Sequence, residues 1–182
     1  MRIHILSDLH LEFQSFDPPM VDADVVVLAG DIHVGVRGIT WTAEEFAGRH
    51  IIYVVGNHEF YGSDLSELAA MRMAAERRGI HFLENDSVVI DGVRFLGCAL
   101  WTDFALFGKL SIGDCMKEAR ACMADFNGEI KGFTPQASAN LHNQSVRWLA
   151  KALAEPFDVA TVVVTHHAPA RGSINPKYAD DL

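Results

Sequence analysis

Four places along the chain carry side chains able to hold a cation and activate water: Asp8 with His10, Asp31, Asn57 with His58, and His166 with His167. They combine carboxylate, imidazole and carboxamide groups, a mixed oxygen and nitrogen donor set that suits manganese, iron(II) or zinc. No cysteine joins them, which argues against a structural zinc site. Each piece alone also suits an ordinary duty: a capping aspartate, a glycine turn, a hydrogen-bonded loop, a histidine pair closing a strand. Their joint occurrence is harder to explain as packing, because every one of them directly follows an apolar run.

Those runs must position them. Ile3–Leu6 leads into Ser7-Asp8, Val25–Ala29 into Gly30-Asp31, Ile51–Val55 into Gly56-Asn57-His58, and Val159–Val164 into Thr165-His166-His167. Short, continuous runs rich in β-branched residues predict strands covered on both faces, and hence an α/β fold. In open α/β sheets, ligand sites collect beyond the carboxyl ends of the strands. The apolar stripe Leu65, Leu68, Ala69, Met71 and Ala75 predicts a helix over 63–78, with Ser63 as cap and Gly79 as stop. Asp91-Gly92 between apolar runs predicts a hairpin. Further helices are expected over 113–126 and 140–154. Residues 101–140 read as a cap or insertion within a single domain spanning 1–182, in which Trp101, Phe104 and Phe107 could line a pocket or simply fill core.

The chain has 182 residues, enough to bury a substantial core, and a formal net charge of -9. That balance counts against a nucleic-acid binder, and so against a nuclease, because such proteins need lysine and arginine to displace counterions. It does not exclude a small phosphorylated substrate, since bound cations supply positive charge locally. The three cysteines, Cys98, Cys115 and Cys122, show no pairing signature. The first apolar stretch is too short for a signal peptide, and no run approaches the roughly 20 residues of a membrane span. A cytoplasmic protein without membrane contact is therefore expected.

Asp8-Leu9-His10, Gly30-Asp31, Gly56-Asn57-His58-Glu59 and Thr165-His166-His167-Ala168-Pro169 together resemble the first four signature motifs of calcineurin-like metallophosphoesterases. The resemblance implies two packed mixed β-sheets flanked by helices in four layers, and two divalent metal ions (manganese, iron or zinc) at the strand ends. Carried over residue by residue, Asp8 and His10 bind one ion, Asp31 bridges both, and Asn57 and His166 bind the other. His58 faces the substrate as the catalytic residue, and a metal-activated hydroxide hydrolyses a phosphomonoester or phosphodiester. A bridging role suits Asp31, because a carboxylate can span two cations. Glu59 is a candidate partner for His58 or a ligand histidine, and also suits a helix-start acid. His33 is placed to approach phosphate, and Arg37 and Arg171 to grip it. His167 is the rival of His166 for the metal.

The family's closing motif, Gly-His-x-His, does not occur in the sequence. The expectation is a domain missing its C-terminal part, with one ligand fewer on each ion. A natural short form and histidines supplied by another subunit are the alternatives. An unpaired sheet edge would then invite dimerisation. A metal-binding but catalytically weak member of the same lineage is the rival to an active hydrolase.

Overall fold

In a computed structural model the protein is described over residues 1–106, 108 and 111–173, so Phe107 and the stretch 174–182 lie outside the described residues. Strands β1 (Ile3–Leu6), β2 (Val25–Ala29), β3 (His50–Val54) and β4 (His81–Phe82) form one sheet in the order β1-β2-β3-β4, every neighbouring pair parallel. Strands β5 (Asp86–Ile90), β6 (Val93–Cys98) and β7 (Thr161–Thr165) form the other. There β5 and β6 are antiparallel, and β7 runs parallel to β6. Of the two sheets expected, then, the second is mixed and the first parallel throughout.

The apolar runs explain the layering. Because successive strand side chains point to opposite faces, β2 splits its five buried residues between two cores. Val26 and Leu28 join Ile51 and Tyr53 of β3 against Ile39 and Met71 from the helices, whereas Val25, Val27 and Ala29 join Ile52 and Val54 against Phe95 and Val164 of the second sheet. Helices α1 (Arg37–Glu45) and α2 (Glu67–Glu76) thus cover the outer face of the first sheet. Helix α4 (Pro135–Ala154) backs β6 of the second, where Arg94 Nη1 donates to the carbonyls of Ala152 and Glu155, each at 3.2 Å.

Several boundaries differ from the sequence reading for local reasons. Helix α2 begins at Glu67 rather than Ser63, because the Asp64 carboxylate accepts the Ser66 N–H at 2.8 Å and closes a turn first. Helix α3 spans Ile112–Cys122 and gives way at Met123 to a separate 3₁₀ turn, Ala124–Phe126. Helix α4 starts five residues earlier than expected, at Pro135, where Thr134 Oγ1 accepts the Ala137 N–H at 3.1 Å. The hairpin falls at Asp91-Gly92, whose φ of 48° and 78° match a turn that twists with its strands. No helix among the described residues is long and apolar enough to cross a membrane.

Candidate metal centre

The three parallel strands β1, β2 and β3 deliver their following loops to one edge, and hydrogen bonds there continue the sheet. Asp8 N–H donates to Gly30 O (3.1 Å), His10 N–H to Asp31 O (3.0 Å), and Leu11 N–H to Ile32 O (3.0 Å). Asp8, His10 and Asp31 all adopt left-handed backbone, with φ of 55°, 47° and 56°. Non-glycine residues hold that conformation at a cost, and such strain collects at functional sites.

The turns approach each other closely enough to require glycine at two positions. A Cβ on Gly56 would stand 2.1 Å from Asp31 Oδ1, and one on Gly30 would stand 2.5 Å from His166 Nδ1. Glu59 locks the same turns from beneath. Fully buried, it accepts the N–H groups of Asp31 (3.0 Å), Ile32 (3.0 Å) and Gly56 (2.7 Å) and the Tyr53 hydroxyl (2.8 Å). Burial and the neighbouring Asp31 charge push its carboxyl above the usual range, while the Ile32, Tyr53 and Gly56 donors oppose that shift. Glu59 thus contacts the backbone of these loops, and it also stands as the acid in the first turn of the 3₁₀ helix His58–Phe60.

Side chains converge above this floor. His166 Nδ1–H donates to Ala29 O at 2.9 Å, since a carbonyl can only accept. In the neutral ring Nε2 is therefore a bare lone pair, and it faces Asn57 Oδ1 at 3.2 Å and Asp31 Oδ1 at 3.5 Å. Asn57 cannot relieve this by turning over, because its Nδ2 donates to Asp125 Oδ1 at 2.9 Å. Oxygen and nitrogen lone pairs aimed at one another repel unless a cation lies among them. Ligand atoms of Asp8, Asp31 and His166 all fall within 4.8 Å of one another. On the other side of the same carboxylate, His10 Nε2 lies 3.9 Å from Asp31 Oδ2. The donor chemistry of Asp8, Asp31 and His166 thus fits a divalent metal.

Around this centre lie groups the sequence did not reveal. Glu12 brings a carboxylate to His58, whose Nδ1–H donates to Glu12 Oε1 at 2.7 Å. Burial pushes the Glu12 carboxyl up, but hydrogen bonds from His58, its own backbone and His10 outweigh that and leave it below the usual range. His58 also stacks on Tyr61, with ring centroids 4.0 Å apart. Asp125, buried in the 3₁₀ turn after α3, accepts Tyr61 OH at 2.6 Å besides Asn57. Burial and Asp125 both raise the Tyr61 phenol. Neither acid had a sequence signal, since their partners are dozens of residues away.

The remaining candidates stand outside the ligand cluster. His167 turns away from Asp31. Its Nδ1–H donates to Ala99 O at 3.0 Å, its ring lies against Trp101, and burial with neighbouring His166 depresses it to about 4. It walls a cleft shared with Asp103, His142 and Arg171. His33 is partly buried, its Nδ1 accepting the Val34 N–H at 2.7 Å, and burial lowers its pKa. Arg37 opens α1 on the surface. Of the aromatics read as pocket lining or core, Trp101 does both, packed between Phe60 and Phe133 and lining the His167 cleft. Phe104 borders an apolar cleft against α3.

Comparison with known proteins agrees with this arrangement. The family model described as calcineurin-like phosphoesterase matches residues 1–182, and the chain belongs to that family. No curated protein sequence matches it. Among solved structures, it is similar to a phosphopantetheinyl hydrolase from Mycobacterium tuberculosis, with a TM-score of 0.70 and 18% identity over 100% of this chain and 71% of that one. At that identity the likeness speaks for the fold. Family members generally use divalent metals, in keeping with the donor set here.

Proposed function

We propose that the protein hydrolyses phosphoric esters with two divalent cations held by Asp8, His10, Asp31, Asn57 and His166. The observation that carries this reading is the pinned set of lone pairs at Asp31, Asn57 and His166, with His10 on the far oxygen of Asp31. When bound, such ions lower the pKa of a water and neutralise developing phosphoryl charge.

The chain's own residues divide the remaining work. Asp31 presents one oxygen toward His10 and the other toward His166, the arrangement a bridging carboxylate needs. Its Oδ1 also accepts the His58 backbone N–H at 2.9 Å, which ties the turn carrying His58 to this carboxylate. His58 is the catalytic residue in this reading. With Nδ1–H held by Glu12, its Nε2 is left for the substrate, and a protonated ring could give a proton to the departing alkoxide. His33 and Arg37 on one side, and Arg171 with His167 on the other, flank the centre as candidates for substrate contact. The acidic balance of the chain supports a small phosphorylated molecule rather than a nucleic acid.

The test is hydrolysis of bis(p-nitrophenyl) phosphate and p-nitrophenyl phosphate in added manganese, zinc or iron(II), with Asp31→Ala as control. Turnover requiring both metal and Asp31 is expected, and the faster ester shows the substrate class. Metal-independent turnover, or turnover surviving Asp31→Ala, would overturn the proposal. Metal bound without turnover of either ester would favour the catalytically weak reading.

A further inference from the structure

The geometry points to Glu12 as a positioning residue that serves a metal ligand and the catalytic histidine at once, an inference that rests on the function proposed above. One of its oxygens, Oε1, meets two imidazoles: His58 Nδ1 at 2.7 Å and His10 Nδ1 at 3.5 Å. A carboxylate can only accept, so the His58 Nδ1–H points at it and the His58 Nε2 is turned the other way. The His10 Nδ1 lies closer to the His58 Nδ1, at 3.2 Å, than to the carboxylate, and its Nε2 is likewise turned away. For His10 that direction is Asp31 Oδ2, 3.9 Å from its Nε2. For His58 it is the atom that the proposed function assigns to the substrate. The two rings cross at 71° with centroids 4.3 Å apart, so a shift of either disturbs the other.

The site is built for this contact. Only 13% of the Glu12 side chain is exposed, and its second oxygen, Oε2, is buried without a hydrogen-bond partner. His33 lies 4.0 Å from Oε2, but its Nδ1 already accepts the Val34 N–H and offers no proton there. Burying a carboxylate with one bare oxygen is costly. A residue serving stability alone would find donors for both. Glu12 therefore sits where it fixes the His58 tautomer and borders the His10 ring, as outer carboxylates do beside ligand histidines.

Two measurements on the metal-loaded full chain test this. First, the ¹⁵N-edited imidazole spectrum should show His58 as the Nδ1–H tautomer, and Glu12→Ala should release it to a mixture. A wild-type His58 in the Nε2–H form overturns the proposal whether or not the protein turns over. Second, Glu12→Ala should lower kcat roughly 10–100-fold with KM changed less than about twofold, and Glu12→Gln, which keeps a neutral acceptor, should fall between. In a His58→Ala background the same change should cost no more than about threefold further, because its partner is gone. Equal losses in both backgrounds would show that Glu12 acts only through metal or fold. An inactive wild type with the His58 Nδ1–H signature intact would count against the hydrolase reading and leave the Glu12 contact standing.

Discussion

Two regions meet at the metal centre and hold it by different means. The loops after β1, β2 and β3 are held through their backbones. Left-handed Asp8, His10 and Asp31, close glycine turns, and one buried carboxylate under several N–H groups leave the ligands little freedom. The described part of the segment from Ala99 to Phe133 meets the centre through one side chain and one backbone carbonyl. It contributes no metal ligand in the proposed assignment, yet Asp125 fixes the Asn57 amide, and Ala99 O anchors His167 beside His166. The first region sets where the candidate ligands are and, through Ala29 O, which way His166 faces, and the second sets which atom of Asn57 faces the centre.

The difference can be broken most severely at Glu59. Glu59→Ala would strip the acceptor from three backbone N–H groups and the Tyr53 hydroxyl in a buried site. It should cost about 4 kcal/mol in a denaturant titration, with metal affinity lost alongside. A variant with unchanged midpoint and full metal content would show that the first region does not depend on this floor.

A largely buried acid outside the second region holds its first residue, and pH should expose it. Glu84 accepts the Ala99 N–H at 2.7 Å, and burial pushes its carboxyl up to about 7, opposed by Ala99 and by Arg72. The folded chain then binds a proton that the unfolded chain, near its ordinary 4.5, has released. Stability from this group is complete below about 4.5 and is lost as pH rises through about 7, on the order of 3 kcal/mol in all. Glu84→Gln should flatten that slope in melts between pH 5 and 8. An unchanged slope would mean another group titrates there.

The mildest break separates atom choice from position. Asp125→Ala should let the Asn57 amide rotate, weakening metal binding about tenfold in calorimetry, with the ligand loops otherwise in place. If affinity were untouched, Asn57 would be oriented by something other than Asp125.

How much of this was legible follows from the range of each interaction. The strand ends were readable because the fold places the proposed ligands Asp8, Asp31, Asn57 and His166 directly after continuous apolar runs. Glu59 was visible, yet its role was not, because its partners belong to the preceding turns and the loop after β2. Glu12 and Asp125 carried no signal at all, being defined by partners 46 and 68 residues away. Strand β4 is only two residues long and owes its existence to pairing with β3. Helix α1 begins at Arg37 after Val36, which offers no side-chain cap, so nothing marked its start. The start of α4 was legible in Thr134-Pro135 and was obscured by the glycine-rich residues before it.

The central claim is that Asp31 is shared between two cations. Metal analysis of the wild type and of Asp31→Asn, after equilibration with manganese and removal of excess, tests it directly, with electron paramagnetic resonance to detect coupling between ions. The account predicts two manganese ions per chain with spin coupling in the wild type, and loss of both the coupling and most of the metal in Asp31→Asn. Two uncoupled ions, or a variant that keeps both, would contradict it.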